Sequence, residues 1–394
     1  MRFFQDWSVS AASAGFVAVL VGFTSSVALV FQAAQAFGAS EAVLASWMWA
    51  LGIGMGLATA IPSLILRKPV MVAWSTPGAA VLASAGAGFD LAQATGAFIV
   101  CALLITLAGA TGWFERVMNR IPMAIASGLL AGVLAHFGMA AFSAAQTALP
   151  LVLAMLAAYL LGKRWLPRYA VPLTLLVSIV VAAAQGHIAW TAVRWEWAQP
   201  VWTTPVFTWQ AAVSLALPLF VVTMASQNVP GVAVMRATGY ALPVSRLIGM
   251  TGVATLLLAP FGGYALNLSA ITAAICMGPE AHPDPARRYT AAVTCGVLYL
   301  LVGLFGAAVA GLLIAFPKEL VAAIAGLALL STIGGGLVAA LQNEAHREPA
   351  LITFLVTASG VTLGGIGSAF WGVVAGAVAL AVMARKPAAA RGAP

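Results

Sequence analysis

Charge is what this sequence holds least of. Only 7% of its 394 residues are charged while 62% are hydrophobic, and the mean hydropathy is +1.03. A soluble domain carries about a quarter of its residues charged, so that class is excluded and a polytopic membrane protein is indicated. Cysteine is scarce as well. Cys101, Cys276 and Cys295 lie in or beside apolar runs without CxxC spacing, which argues against a metal cluster or a disulfide framework and leaves core packing. HExxH, GxSxG and a buried Asp pair are all missing, so nothing supports a membrane-embedded enzyme, and no catalytic residue, cofactor or metal is expected. The net charge of +8 does not point to nucleic acid, because the basic residues sit in short loops beside apolar runs, where they set topology.

Long apolar runs are what the chain has instead. By the length needed to cross a bilayer, spans fall at about 11–34, 42–64, 69–86, 91–113, 122–141, 145–162 and 169–186. After the connector "GHIAWTAVRWEWAQPVWTTPVFTW", seven more fall at about 210–235, 243–259, 260–279, 287–315, 317–340, 349–363 and 366–384. The first run is too long for a signal peptide and reads as a retained span. The chain thus divides into a first seven-span half, residues 1–186, a Trp-rich connector on the periplasmic side, 187–209, and a second half, 210–394. An odd number of spans per half makes the second half enter from the opposite side, so homologous halves form a 7+7 inverted repeat. Weak self-similarity fits this: "IPMAIASGLLAG" resembles "FPKELVAAIAGLAL", and "GFTSSVALVFQAAQAFG" lies over "TMASQNVPGVAVMRATG" without gaps.

Of the 18 Lys and Arg residues, all but Arg194 and Lys318 fall on the side of the N-terminus, which puts both termini in the cytoplasm. Trp190, Trp195, Trp197, Trp202 and Trp209 then form an outer interfacial belt.

Two spans are interrupted. In the third, "KPVMVAWSTPGAAVLASAG", a short extended piece meets Ser75-Thr76-Pro77-Gly78, a helix start in which the hydroxyl caps and proline takes the first turn. The tenth repeats the layout, an extended "PFGGYAL" before Asn267 or Ser269 and then "AITAAICMG". Two half-helices entering from opposite sides bring their N-termini together at the midplane, each with a partial charge of roughly half a unit. That is a place for an anion or an acceptor-rich ligand. The alternative is a pair of kinked continuous helices.

The motifs "WSTPGAAVLASAG", "MASQNVPGVAVMRATGY" and "GGYALNLSAITAAICMGPEAH" carry a family resemblance. The chain resembles the BenE-type benzoate/proton symporters, and is more distantly similar to the nucleobase permeases and the sulfate permease superfamily. The resemblance implies a core domain of spans 1–4 and 8–11, about 11–113 and 210–315, and a gate domain of spans 5–7 and 12–14, about 122–186 and 317–384. It also implies alternating access, a benzoate-like substrate, protons as partner, an inner-membrane location and a homodimer through the gate. Nucleobase permeases place a Glu-His pair where this chain has Gln227-Asn228 and a Glu where it has Leu266. Neutral groups at those positions suit an anionic ligand, which buried carboxylates would repel.

The candidate ligand residues are therefore Phe23, Tyr264, Leu266 and Leu268 for a ring, and Thr24, Ser25, Ser26, Ser75, Thr76, Gln227, Asn228, Asn267 and Ser269 as polar groups, with Pro77 and Gly78 at the break. All ten acidic residues fall in loops or at span ends, so no carboxylate marks a proton relay. His136 in the fifth span is a weak candidate for proton coupling, histidine being the side chain type that ordinarily changes charge near neutral pH, and a structural hydrogen-bonding role is the commoner one for a lone histidine there. A nucleobase permease, an inorganic-anion permease and a passive anion channel stay open as alternatives, the last disfavoured by the lack of a continuous polar lining.

Overall fold

The computed structural model describes residues 2–24, 26–112, 123–192, 195–279, 281–363 and 368–383. The candidate Ser25 and the loop cations Arg116, Arg120, Arg194, Arg385, Lys386 and Arg391 lie outside the described residues. Among the described residues, 8 helices are long and apolar enough to cross a membrane, and a further pair bent by 68° passes the same test.

In chain order the elements are α1 (Val9–Thr24), α2 (Val27–Ala36), α3 (Glu41–Leu66), β1 (Val72–Trp74), α4 (Thr76–Ala85), α5 (Leu91–Ala110), α6 (Met123–Ser143), α7 (Ala145–Trp165) and α8 (Ala170–Ala184). They continue as α9 (Trp209–Arg236), α10 (Val244–Leu258), β2 (Leu266–Leu268), α11 (Ile271–Met277), α12 (Tyr289–Leu304), α13 (Gly306–Ala315), α14 (Lys318–Leu341), α15 (Arg347–Ala358) and α16 (Ser368–Met383). Polar caps start several of these helices. Ser40 accepts the Val43 N–H at α3, and at α5 Asp90 and Gln93 form a reciprocal capping box.

Helix packing falls into matched pairs. α3 lies along α12, as α5 lies along α10; α7 packs on α8, as α15 packs on α16; α6 packs along α14. Small residues allow the closest of these contacts. A Cβ added to Gly52 of α3 would sit 2.5 Å from the Gly303 Cα of α12, and one added to Gly109 of α5 would sit 2.2 Å from the Gly249 nitrogen of α10. The helix α9 carries two wider π turns, Ala212–Ala216 and Met224–Asn228. Such turns recur at functional sites.

At the C-terminal end of α11 the guanidinium of Arg288 closes the last turn. Its Nη1 donates to the Met277 carbonyl at 2.8 Å and its Nε to the His282 carbonyl at 2.8 Å, where a cation also favours the helix dipole. Beside it Tyr240 donates to the Pro285 carbonyl. Burial pushes the Tyr240 phenol above its ordinary value against the opposing pull of Arg288, which keeps it a neutral donor.

Candidate functional site at the crossed chain breaks

The strands β1 and β2 pair antiparallel, with Val72 opposite Leu268, Ala73 opposite Asn267 and Trp74 opposite Leu266. Ser75 N–H donates to the Ala265 carbonyl and Ser269 N–H to the Met71 carbonyl, which closes the ribbon at both ends. Extended backbone buried this deep needs a partner for every polar group. Side chains of neighbouring helices supply those that the ribbon leaves over. Thr59 of α3 accepts the Val72 N–H at 3.1 Å, Thr255 of α10 accepts the Leu266 N–H at 3.0 Å, and Asn228 of α9 accepts the Leu268 N–H at 2.8 Å.

Each strand runs into the start of a short helix. At α4, Ser75 caps the Gly78 N–H at 3.1 Å and accepts the Thr223 hydroxyl at 2.9 Å. At α11, Ser269 Oγ lies 3.4 Å from the Thr272 nitrogen. Both starts face one cavity of about 250 Å³. Its wall combines Gly22 and Ser26 of the first span, Met55 of α3, Ala73, Trp74, Thr76 and Pro77, Leu134 of α6, and Ser226 and Gln227 from the second π turn of α9. Ser269, Ala270, Ile271 and Thr272, then Tyr299 of α12 and Ala328, Leu329 and Thr332 of α14 complete it.

The lining is chemically uniform in one respect. Among the described residues it holds no Asp, Glu, His, Lys or Arg. Trp74 Nε1 donates to Ser26 Oγ at 2.8 Å, so the indole is fixed in the wall. The hydroxyl of Thr272 is buried without a partner. Such an orphan is uncommon in a buried site, and this one lies in the cavity wall. The cavity can therefore hold a small molecule between neutral hydrogen-bonding groups and apolar surface, with Met55, Leu134, Leu329 and the Trp74 ring as the apolar part.

The structure brings Ser26, Thr76, Pro77, Gln227 and Ser269 of the expected set to this cavity. It places the others elsewhere. Phe23 and Thr24 line a separate apolar void of about 90 Å³ against α13 and α14, and the Phe23 ring packs on the Trp74 ring at 5.5 Å between centroids without lining the cavity. Tyr264 is locked among the rings of Trp47 and Phe98. Leu266 packs at Gly54, and Leu268 packs at Gly231. Ser75 and Asn228 are occupied in supporting the backbone, and Gly78 makes room for Leu219. Asn267 is buried with its Nδ2 on the Ala265 carbonyl and its Oδ1 unpaired, outside the lining. His136 is exposed on α6, its ring against Phe137, and is no part of the cavity. Thr272, Ser226, Trp74 and Tyr299 were not expected from sequence, although the first three neighbour expected residues.

Comparison with known proteins gives the family and the fold. The signature of the BenE family, described as benzoate membrane transport protein, matches residues 5–382. The chain belongs to this family. The BenE family is one of membrane transporters and not of enzymes, and the chain is a multi-pass membrane protein. It is 50% identical over 370 residues, 94% of this chain and 95% of the relative, to the inner membrane protein YdcO of Escherichia coli strain K12. It is 38% identical over 384 residues, 98% of each chain, to the benzoate membrane transport protein of Acinetobacter baylyi. Among solved structures, the transmembrane domain of the cyanobacterial bicarbonate transporter BicA is similar with a TM-score of 0.56 at 15% identity, covering 96% of this chain and 97% of that one. Murine Solute Carrier 26 family member A9, solved in an inward-facing state, is similar with a TM-score of 0.57 at 13% identity, covering 96% and 68%. At these identities the likeness establishes the fold, which this BenE chain shares with both.

Proposed function

We propose that this BenE-family chain is a secondary active transporter that imports benzoate or a related aromatic carboxylate together with protons by alternating access. The observation that carries this reading is the cavity at the crossed breaks. It offers apolar surface for one ring and neutral polar groups for one carboxyl, and it lies where the core and gate helices of the expected division meet. The membrane transporter family and the name of the Acinetobacter relative support the same substrate class.

The pairing of helices supports the finer architecture. With fourteen spans in two inverted halves, spans 2 and 11 correspond to spans 9 and 4, and these are the helix pairs α3 with α12 and α10 with α5. Thr59 and Thr255, which brace β1 and β2, then occupy corresponding spans. The core is formed by spans 1–4 and 8–11, the gate by spans 5–7 and 12–14. The bias of Lys and Arg toward one side supports cytoplasmic termini in the inner membrane. The name of the Escherichia relative agrees on the membrane.

A homodimer through the gate belongs to the transporter reading, with the exposed leucines Leu149, Leu153 and Leu160 of α7 as its surface.

Uptake of labelled benzoate into proteoliposomes tests the function, with protein-free liposomes setting the leak of benzoic acid and with uracil and sulfate as competitors. Saturable uptake above the leak, driven by an inward proton gradient and indifferent to both competitors, is expected. Uptake no greater than the leak, or competition by uracil or sulfate, would overturn the substrate assignment.

A further inference from the structure

A proton symporter needs a group that carries the proton, and the cavity wall does not contain one that ionises near neutral pH. Tyr299 is its one ionisable side chain among the described residues, a phenol. The charged groups on the elements around it lie elsewhere. Asp6, before α1, is bound by Arg287 and Tyr289; Arg288 is bound to the carbonyls at the end of α11. Glu41 starts α3, Arg236 ends α9, and Lys318 and Glu319 start α14. His136 is on the exposed side of α6. Lys163 of α7 donates to Ser331 Oγ at 2.8 Å, beside Thr332 but outside the lining. The elements β1, α4, β2 and α11 carry no charged residue.

Neither helix start gives much compensation for an anion. The first, at α4, is closed by its own residues: Pro77 has no N–H and the Gly78 N–H is taken by Ser75. At the second, α11 is only 7 residues long and its Thr272 N–H already faces Ser269 Oγ at 3.4 Å. A bare carboxylate in this cavity would thus lose its water and gain no cation, which is strongly unfavourable. Desolvation favours the neutral acid and raises a carboxyl pKa by up to about 3–5 units in the fully buried limit. From an ordinary value near 4 that reaches neutral pH.

The side chain best placed to meet the carboxyl is an amide. Gln227 lines the cavity, and its side chain makes no hydrogen bond to another described residue. An amide offers a donor and an acceptor together, which matches –COOH in a reciprocal pair; a carboxylate only accepts. The unpartnered Thr272 hydroxyl can serve either role.

We propose that the transported proton is carried by the substrate itself: the cavity binds the aromatic acid with its carboxyl protonated, and Gln227 reads that carboxyl by a paired donor and acceptor. This rests on the reading that the cavity takes an aromatic carboxylate. Outside, one proton from water joins one carboxylate oxygen and the neutral acid binds. Inside, the O–H bond breaks, the proton returns to water and the carboxylate leaves. One proton accompanies each acid and no net charge crosses.

The test is calorimetric binding to the purified full-length protein from about pH 5.5 to about pH 8, with benzoate, benzamide and benzenesulfonate. If the acid carries the proton, benzoate affinity falls about tenfold per pH unit, with one proton taken up per molecule bound. Benzamide then binds with a pH-independent affinity, and the permanently charged benzenesulfonate fails to bind. Benzenesulfonate binding as tightly as benzoate, or a benzoate affinity flat with pH, would overturn the inference and leave the substrate class standing. No binding of benzoate at any pH would overturn both. Gln227→Lys supplies a cation at the same place; the folded variant is expected to accept benzenesulfonate and to lose the pH slope for benzoate. An unchanged slope there would remove Gln227 from the role.

Discussion

The two chain breaks share a layout and differ in finish. At the first, Ser75 caps α4, Thr223 braces Ser75, and the first turn of the helix is closed by its own residues. At the second, α11 is shorter, its nearest cap contact is long at 3.4 Å, Thr272 Oγ1 and Asn267 Oδ1 are left without partners, and Ile271 is 57% exposed. Common topology gives both breaks the same strand and the same bracing threonine one span away. The unsatisfied groups gather at one of them. The two breaks share a frame of paired strands, and the second, with its unpartnered groups, is the end at which we propose that the ligand is met.

Substitutions can break or sharpen that contrast. The largest effect is expected at the frame. A Cβ on Gly231 of α9 would lie 2.7 Å from the Leu268 carbonyl oxygen, a backbone atom that has no side-chain freedom to yield. Gly231→Val is expected to cost about 3 kcal/mol or more and to abolish a monodisperse folded peak in size-exclusion chromatography. Asn228→Leu leaves the buried Leu268 N–H without its acceptor, for an expected loss of about 1–3 kcal/mol in thermal unfolding. Ser75→Ala removes a cap and the acceptor for Thr223, for about 1–2 kcal/mol in the same assay. The smallest stability change is expected at the second break. Thr272→Val keeps shape and removes an unpartnered hydroxyl, so unfolding should shift by less than about 0.5 kcal/mol while benzoate affinity falls about fivefold. A Thr272→Val variant that loses stability as Ser75→Ala does and binds benzoate unchanged would erase the distinction between the breaks.

Much of the frame was legible in the sequence for local reasons. Ser75 followed by Thr-Pro-Gly is a cap and first turn written in consecutive residues, and the low charge with long apolar runs gave the membrane class. Site membership was legible only in part. Thr76, Gln227 and Ser269 were expected and reach the cavity, yet Phe23, Tyr264, Leu266 and Leu268 do not. Which way a side chain points at a break depends on the partner helix, and no spacing rule encodes it. Tyr264, for example, is claimed by Trp47 and Phe98 from two other spans. Thr272 lies three residues beyond Ser269 on a helix and was within reach of a facing argument. Ala328, Leu329 and Thr332 carried no signal, since they sit in an apolar stretch of α14 far along the chain. Gln227 was expected as a polar ligand, but its place in a π turn depends on the packing of α9.

The measurement that tests the account most directly is the position of a bound heavy-atom analogue. Crystals of the protein grown with para-iodobenzoate would locate the iodine by anomalous scattering. The ring is expected in the cavity between the two breaks, against Trp74 and Leu329, with its carboxyl toward Gln227 and Thr272. Iodine density confined to another site, such as the apolar groove formed by Trp190, Trp195 and Phe305, would contradict it.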